Sequence, residues 1–201
     1  MARPSDSRQR LLEAALDLIW TQSFEGISVD QICERAGVNK GSFYHFFPSK
    51  SELAVAAYEA GWQEWKLQYD SVFTLQSAPA QRLQDWCRLI RKHQQEIAVK
   101  YGRICGCPVS SMGTEMAGID EKLRHVCEDL FERDLRYLES TLREAQASGV
   151  ASPGDPHRIA CSLQALTIGM LQQARIRNDL NVLDPLEESV FRLAGLQAPA
   201  R

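Results

Sequence analysis

Apolar residues recur at three- and four-residue intervals along most of this chain and almost nowhere alternate, so the pattern predicts helix after helix and an all-α fold. Leu12, Ala15, Leu16 and Ile19 mark a first helix over about residues 5–22, with Ser5 or Asp6 as a candidate cap. Phe24 and Ile27 flank the Gly26 turn and are placed to fill the space beneath it. Val29, Ile32, Cys33 and Ala36 share one face of a second helix, which opens at Ser28, where a hydroxyl can accept free backbone amides. Gly37 ends it, because glycine tolerates the left-handed backbone of a helix end. A short connection, Val38-Asn39-Lys40, leads to a third helix near residues 41–47 that can bury Phe43, Phe46 and Phe47 at i, i+3 and i+4.

Pro48 closes that helix and Ser49 can cap a long one over residues 49–74. Pro79 starts another, with Leu83, Trp86, Ile90, Gln94 and Ile97 along one face. Five glycines and prolines between Gly102 and Gly118 predict a loop, a short helix near residues 109–116 and a second break. Leu123, Val126, Leu130, Tyr137, Leu138 and Leu142 place a helix over residues 120–147. A final pair is expected at residues 157–177 and 185–196.

The second and third helices, joined by a tight glycine turn, have helix-turn-helix grammar. Burying the three phenylalanines leaves Lys40, Ser42, Tyr44 and His45 on other faces, and residues 36–51 contain no carboxylate. That donor-rich surface suits DNA phosphates. Lys50, in the first turn of the long helix, is expected to meet a phosphate there as well. The net charge of −3 shifts the picture: residues 1–50 hold six Lys or Arg against six Asp or Glu, so DNA affinity must come from a local surface. Arg3, Arg8 and Arg10 cluster at the start of the chain and Lys40 and Lys50 flank the third helix, so phosphate contact can come from a focused surface.

The run Ala36-Gly37-Val38-Asn39-Lys40-Gly41-Ser42-Phe43-Tyr44-His45-Phe46-Phe47-Pro48-Ser49-Lys50 closely resembles the recognition segment of TetR/AcrR-type transcriptional repressors. The resemblance covers about a quarter of the chain. It implies a three-helix DNA-binding head over residues 1–50 and a helical ligand-binding and dimerisation body over residues 51–201. It also implies that Lys40, Gly41 and Ser42 approach base edges of double-stranded operator DNA, with Tyr44, His45 and Lys50 on phosphates. A single helix-turn-helix contacts few base pairs, so a homodimer is expected. The resemblance puts its interface on the last two helices, through Leu163, Leu166, Met170, Leu186, Val190 and Leu193. Packing of these stripes within their own chain is the alternative.

A small-molecule inducer is implied too. Its expected pocket draws on Trp62, Trp65, Tyr69, Trp86, His93, Tyr101, Cys105, Cys107 and Gln164, with Phe73 and Gln94 nearby, since such sites combine aromatics with a few polar groups. Cys105-Gly106-Cys107-Pro108 raises a second possibility, a thiol sensor of electrophiles or oxidants, because a helix N-terminus stabilises thiolate. Six scattered cysteines do not form a disulfide framework, and a lone Cys-x-Cys lacks the second pair of a zinc site. No cofactor is implied. The rival from another class is an all-α enzyme with Cys107 as nucleophile and His93 or His125 as base, for which no motif speaks. No apolar run spans a bilayer and residues 1–10 are too polar for a secretory signal, so no membrane partner and a cytoplasmic location are expected.

Overall fold

The computed structural model describes residues 4–196, with side chains from residue 6 onward; Arg3 lies outside the described residues. Its elements are α1 (Pro4–Thr21), α2 (Val29–Ala36), α3 (Lys40–Phe46), α4 (Lys50–Val72), α5 (Pro79–Tyr101), α6 (Pro108–Met116), α7 (Glu121–Ala147), α8 (Pro156–Arg177), a 3-10 turn (Leu180–Leu183) and α9 (Leu186–Ala194). Apart from an isolated bridge between Ala151 and Leu196, regular structure among the described residues is helical. Because α1 runs from Pro4, the positions of Ser5 and Asp6 lie within the helix, and Asp6 pairs with Arg10 one turn on, at 3.6 Å.

The chain divides into two compact units, and the division falls inside α4 after Lys66 and inside α7 after Leu130. The first unit comprises the described residues through Lys66 together with Pro108–Leu130. Residue 50, the boundary expected from sequence, is not a packing boundary. Leu53, Ala54 and Ala57 of α4, Met112 and Met116 of α6, and Leu123 of α7 close one core with Leu11, Ile27, Ile32 and Phe43. Burying a leucine-sized side chain is worth roughly 1.5–3 kcal/mol, so the three helices of the head draw part of their stability from α4, α6 and α7.

Local signals fix the helix ends in that unit. Ser28 Oγ accepts from the Gln31 amide at 3.2 Å while Gln31 Oε1 accepts from the Ser28 amide at 2.8 Å, a reciprocal capping box. Gly37 ends α2 at φ +61°, in the left-handed region. Asn39 Oδ1 accepts from the Ser42 amide at 2.8 Å and so starts α3; Ser49 Oγ does the same for α4, from Glu52 at 3.1 Å.

The second unit comprises Leu67–Cys107 and the described residues from Phe131 onward. On α5, Leu83, Trp86, Ile90, Gln94 and Ile97 are all buried, the same five that define its apolar face in the sequence. Gln94 is the polar member, and its amide explains why it is there: Nε2 donates to the Gly106 carbonyl at 3.2 Å and Oε1 accepts from the Gly106 amide at 3.0 Å. Gly106 has φ +68°, and a Cβ there would stand 3.2 Å from the Leu171 carbonyl oxygen.

Three of the residues expected at a dimer interface are corrected here. Leu163, Leu186 and Val190 are 0%, 1% and 0% exposed, closed in where α8 and α9 pack within one protomer. Their apolar stripes serve the chain's own core, because α9 is short and α5 and α8 cover its buried side. Leu166 and Met170 are half-buried, and Leu193 remains 46% exposed.

Candidate functional site

α3 is seven residues long and is held by what lies under it. Phe43 and Phe47 are buried, with ring centroids 6.2 Å apart, and the Arg8 guanidinium lies 5.4 Å from the centre of the Phe47 ring. Phe46 is only half-buried. With one face committed, Lys40, Gly41, Tyr44 and His45 are exposed and Ser42 half-exposed; the Tyr44 ring, 52% exposed, is steadied edge-on against Phe43 at 5.1 Å. The exposed set offers an ammonium, a hydroxyl, a phenol, an imidazole and, at Gly41, a bare backbone. Such a surface can approach base edges and phosphates closely.

Two features of this surface were not readable from its own segment. Asp30 of α2 comes within 2.8 Å of Lys40 Nζ, so the stretch that lacks acids in sequence has one in space. The hydrogen bond to Asp30 raises the Lys40 pKa, with the Asp30 charge adding to it. Lys50 departs further from expectation. Its ammonium donates to the carbonyls of Phe24 and Ile27, each at 2.8 Å, and rests 4.2 Å from the centre of the Phe24 ring. Burial lowers its pKa, opposed by Glu115 and Glu25. The expected phosphate ligand is therefore turned onto the α1–α2 turn, where its ammonium joins the Ile27 amide on the Phe24 carbonyl.

The same turn is held from the other side. Glu115 of α6 accepts from the Phe24 amide at 2.9 Å and the Glu25 amide at 2.8 Å, one through each carboxylate oxygen. Ser51 of α4 donates to Asp120 at 2.5 Å, which holds the Asp120 carboxyl below the usual range, and Lys122 pairs with Glu52. Contacts of α4 and the α1–α2 turn with residues 115–122 thus brace the helix-turn-helix within its unit.

Of the expected ligand residues, Trp62 and Trp65 belong to the first unit and the others to the second. In the second unit Tyr69, Trp86 and Gln164 converge on a residue the sequence did not single out, Asp134. Trp86 Nε1 donates to the Tyr69 hydroxyl at 3.1 Å, which donates to Asp134 Oδ1 at 2.7 Å. Gln164 Nε2 donates to Asp134 Oδ2 at 2.8 Å and to the Phe131 carbonyl at 2.9 Å. Burial pushes the Asp134 carboxyl up, against the lowering effect of Tyr69 and Gln164. Tyr69 also packs against Phe73 and Tyr137, with centroids 5.5 and 5.3 Å away. His93, half-buried, has its pKa lowered by burial; the Lys100 ammonium covers the Tyr101 ring at 4.7 Å. A hollow of about 530 Å³ on the exposed side of α5, lined by Lys92, Gln95, Glu96, Val99 and Lys100, includes none of the expected ligand residues.

Cys105 is 1% exposed and its pKa is raised by burial, with Arg103 and Arg175 only partly opposing. Expectation and structure disagree here: desolvation of the thiol outweighs the cations near it, and Cys105 is held as the unreactive thiol. Cys107 is half-buried.

Two family models cover most of the chain. Residues 11–57 match the model described as bacterial regulatory proteins, tetR family, and residues 79–189 match the C-terminal domain of LmrA/YxaF-like transcriptional regulators. The chain belongs to the TetR family. The first match spans the helix-turn-helix just described, and the second, more than half the chain, takes in Trp86, Asp134 and Gln164 of the polar network, with Tyr69 before its start. The transcriptional regulator AcuR of Cereibacter sphaeroides is 31% identical over 156 residues, 77% of this chain and 69% of its own length. A crystal structure of a TetR regulatory protein from Rhodobacter sphaeroides superposes with a TM-score of 0.82 at 28% identity, covering 93% of this chain and 98% of that one. The reduced form of E. coli NemR gives 0.81 at 25% identity over 96% and 100%. The protein is thus an all-α transcriptional regulator with an N-terminal helix-turn-helix, of a family that binds operator DNA and forms dimers. Among the described residues no helix is long and apolar enough to cross a membrane.

Proposed function

We propose that this regulator represses transcription by placing α3 in the major groove of its operator and that a small-molecule inducer releases it. The observation that carries the DNA reading is the split of α3: Phe43 and Phe47 buried, Lys40, Gly41, Ser42, Tyr44 and His45 presented outward. In this reading Lys40, Gly41 and Ser42 face base edges and Tyr44 and His45 face phosphates. Lys50 positions the α1–α2 turn. Repression is supported by the relative named as a repressor, NemR of E. coli, 26% identical over 200 residues. Operator DNA as partner places the protein in the cytoplasm.

Two heads on successive major-groove faces need a dimer. The apolar groups still available for one are Leu166, Met170, Ile176 and Leu193, the last two 81% and 46% exposed. The inducer reading rests on Tyr69, Trp86, Asp134 and Gln164, a polar network among aromatics of the kind that orients ligands. A ligand that binds there acts only by preferring one body conformation over another.

The test is retardation of a DNA fragment from the protein's own upstream region. Wild-type protein retards it in a salt-sensitive manner, and Tyr44→Ala abolishes retardation with an unchanged circular dichroism melt. A Tyr44→Ala protein that still binds with wild-type affinity and salt dependence overturns the assignment of α3.

A further inference from the structure

Three side chains of the second unit, none of them used above, stand in the order nucleophile, base, orienter. Cys161 and His157 are one turn apart on α8, with Cys161 Sγ 3.6 Å from His157 Nε2. His157 Nδ1 lies 3.0 Å from Glu139 Oε2 on α7. Glu139 is an ionised partner: Arg143 binds its other oxygen, and that hydrogen bond, followed by the one to His157, holds its carboxyl below the usual range. A carboxylate on Nδ1 fixes the tautomer that keeps the proton there, which turns the Nε2 lone pair toward the thiol. This is the arrangement that activates a weak nucleophile.

The thiol is also accessible. Cys161 is half-buried and His157 52% exposed on its side chain. At about 100° and 1.5 Å per residue, Cys161 lies roughly 180° around α8 from Met170 and roughly 140° from Leu166, while Ile176, roughly 60° around, stands about 22 Å further along the axis. Of the six cysteines Cys33, Cys87, Cys105 and Cys127 are buried, and of the half-buried pair Cys107 and Cys161 it is Cys161 that stands beside a histidine held by a carboxylate.

We propose that Cys161, served by His157 and Glu139, is a covalent modification site for soft electrophiles of the α,β-unsaturated carbonyl class. The thiol proton passes to His157 Nε2 and the sulfur lone pair forms an S–C bond at the β carbon. The C=C electron pair moves to the α carbon as an enolate, which takes up a proton. The net change is addition of S–H across C=C, with no oxidant or reductant. The product is a stable thioether, so the step marks the protein and is not turned over. His157 is the base and Glu139 a positioning residue.

The probe is limiting N-ethylmaleimide on the full folded chain, with each cysteine peptide quantified over time by mass spectrometry. Cys161 labels first, ahead of the half-buried Cys107, and faster in the folded chain than in denaturant, where all six thiols react alike. His157→Gly slows Cys161 by at least about tenfold, and added imidazole restores the rate. Glu139→Gln, which still accepts from Nδ1, keeps more of the rate than Glu139→Ala. Cys161 labelling no faster than Cys107, no faster folded than unfolded, or at an unchanged rate in His157→Gly overturns the proposal. Labelling is read without DNA, so its outcome is separate from that of operator retardation.

Discussion

Glu115 and Lys50 hold the same short turn by its opposite polar groups: Glu115 takes the amides of Phe24 and Glu25, and Lys50 takes the carbonyls of Phe24 and Ile27. Both residues are charged and both act on backbone. The turn between α1 and α2, closed within itself by Ser23 Oγ on the Gly26 amide and the Phe24 carbonyl on the Ile27 amide, is thus also held by residues from α6 and α4.

Replacing Glu115 by Ala strands two amides and removes the acidic neighbour of Lys50. Hydrogen bonds to a charged acceptor contribute about 1.5–3 kcal/mol, which at this chain length is roughly 3–12 °C in Tm. Hydrogen exchange at Phe24 and Glu25 should rise more than at buried amides of α5. Unchanged protection at both amides would show that water replaces the carboxylate without loss.

Helix caps give a second expectation. Asn39→Ala removes the acceptor for the Ser42 amide and should cost about 1 kcal/mol in a thermal melt, while Asn39→Asp retains the cap. Because α3 is so short, the operator affinity of the Ala variant should fall by more than that stability loss explains, as read by fluorescence anisotropy.

The Lys40–Asp30 pair predicts a gain. Asp30→Asn frees the ammonium and removes a negative charge from the surface proposed to face DNA, and should tighten low-salt binding by roughly two- to fivefold. The gain should fade as salt rises. Lys40→Ala should lower affinity and flatten the salt dependence by about one counterion.

Asp134 predicts a pH effect. Its folded pKa is raised, so its contribution to stability is fully present below the ordinary carboxylate value of about 3.9 and is lost as pH rises through the higher folded value. Melts of wild type and Asp134→Asn should converge at acid pH and separate toward neutrality, with wild type falling relative to the variant. Parallel melting curves across that range would mean the carboxyl is not protonated preferentially in the folded state.

Much of this was legible in the chain because the signals are local. The α5 face, the Ser28 cap and the Gly37 stop are each set within one or two helical turns. Contacts made across the fold were not. Asp30 reaches Lys40 across the inter-helix turn, and Glu115 meets Phe24 from ninety-one residues away, so neither shows in a window. The stripe Leu163, Leu186 and Val190 was visible as apolar, but periodicity says that a face is buried without saying against what. Asp134 gave no signal, since one carboxylate on a charged helix looks like any other until Tyr69 and Gln164 point at it. The same holds for Cys161: His157 four residues before it is visible, while Glu139 is a helix away.

The closing of Leu163, Leu186 and Val190 within one chain has a consequence for how the regulator comes into being. A protomer that covers Leu163, Leu186 and Val190 by itself, leaving only the outer edge of its last helices for a partner, is expected to fold in a first-order process. Pairing then becomes a separate, concentration-dependent event. The cellular supply of folded protomer, and not the folding reaction, sets the level at which control of the gene begins.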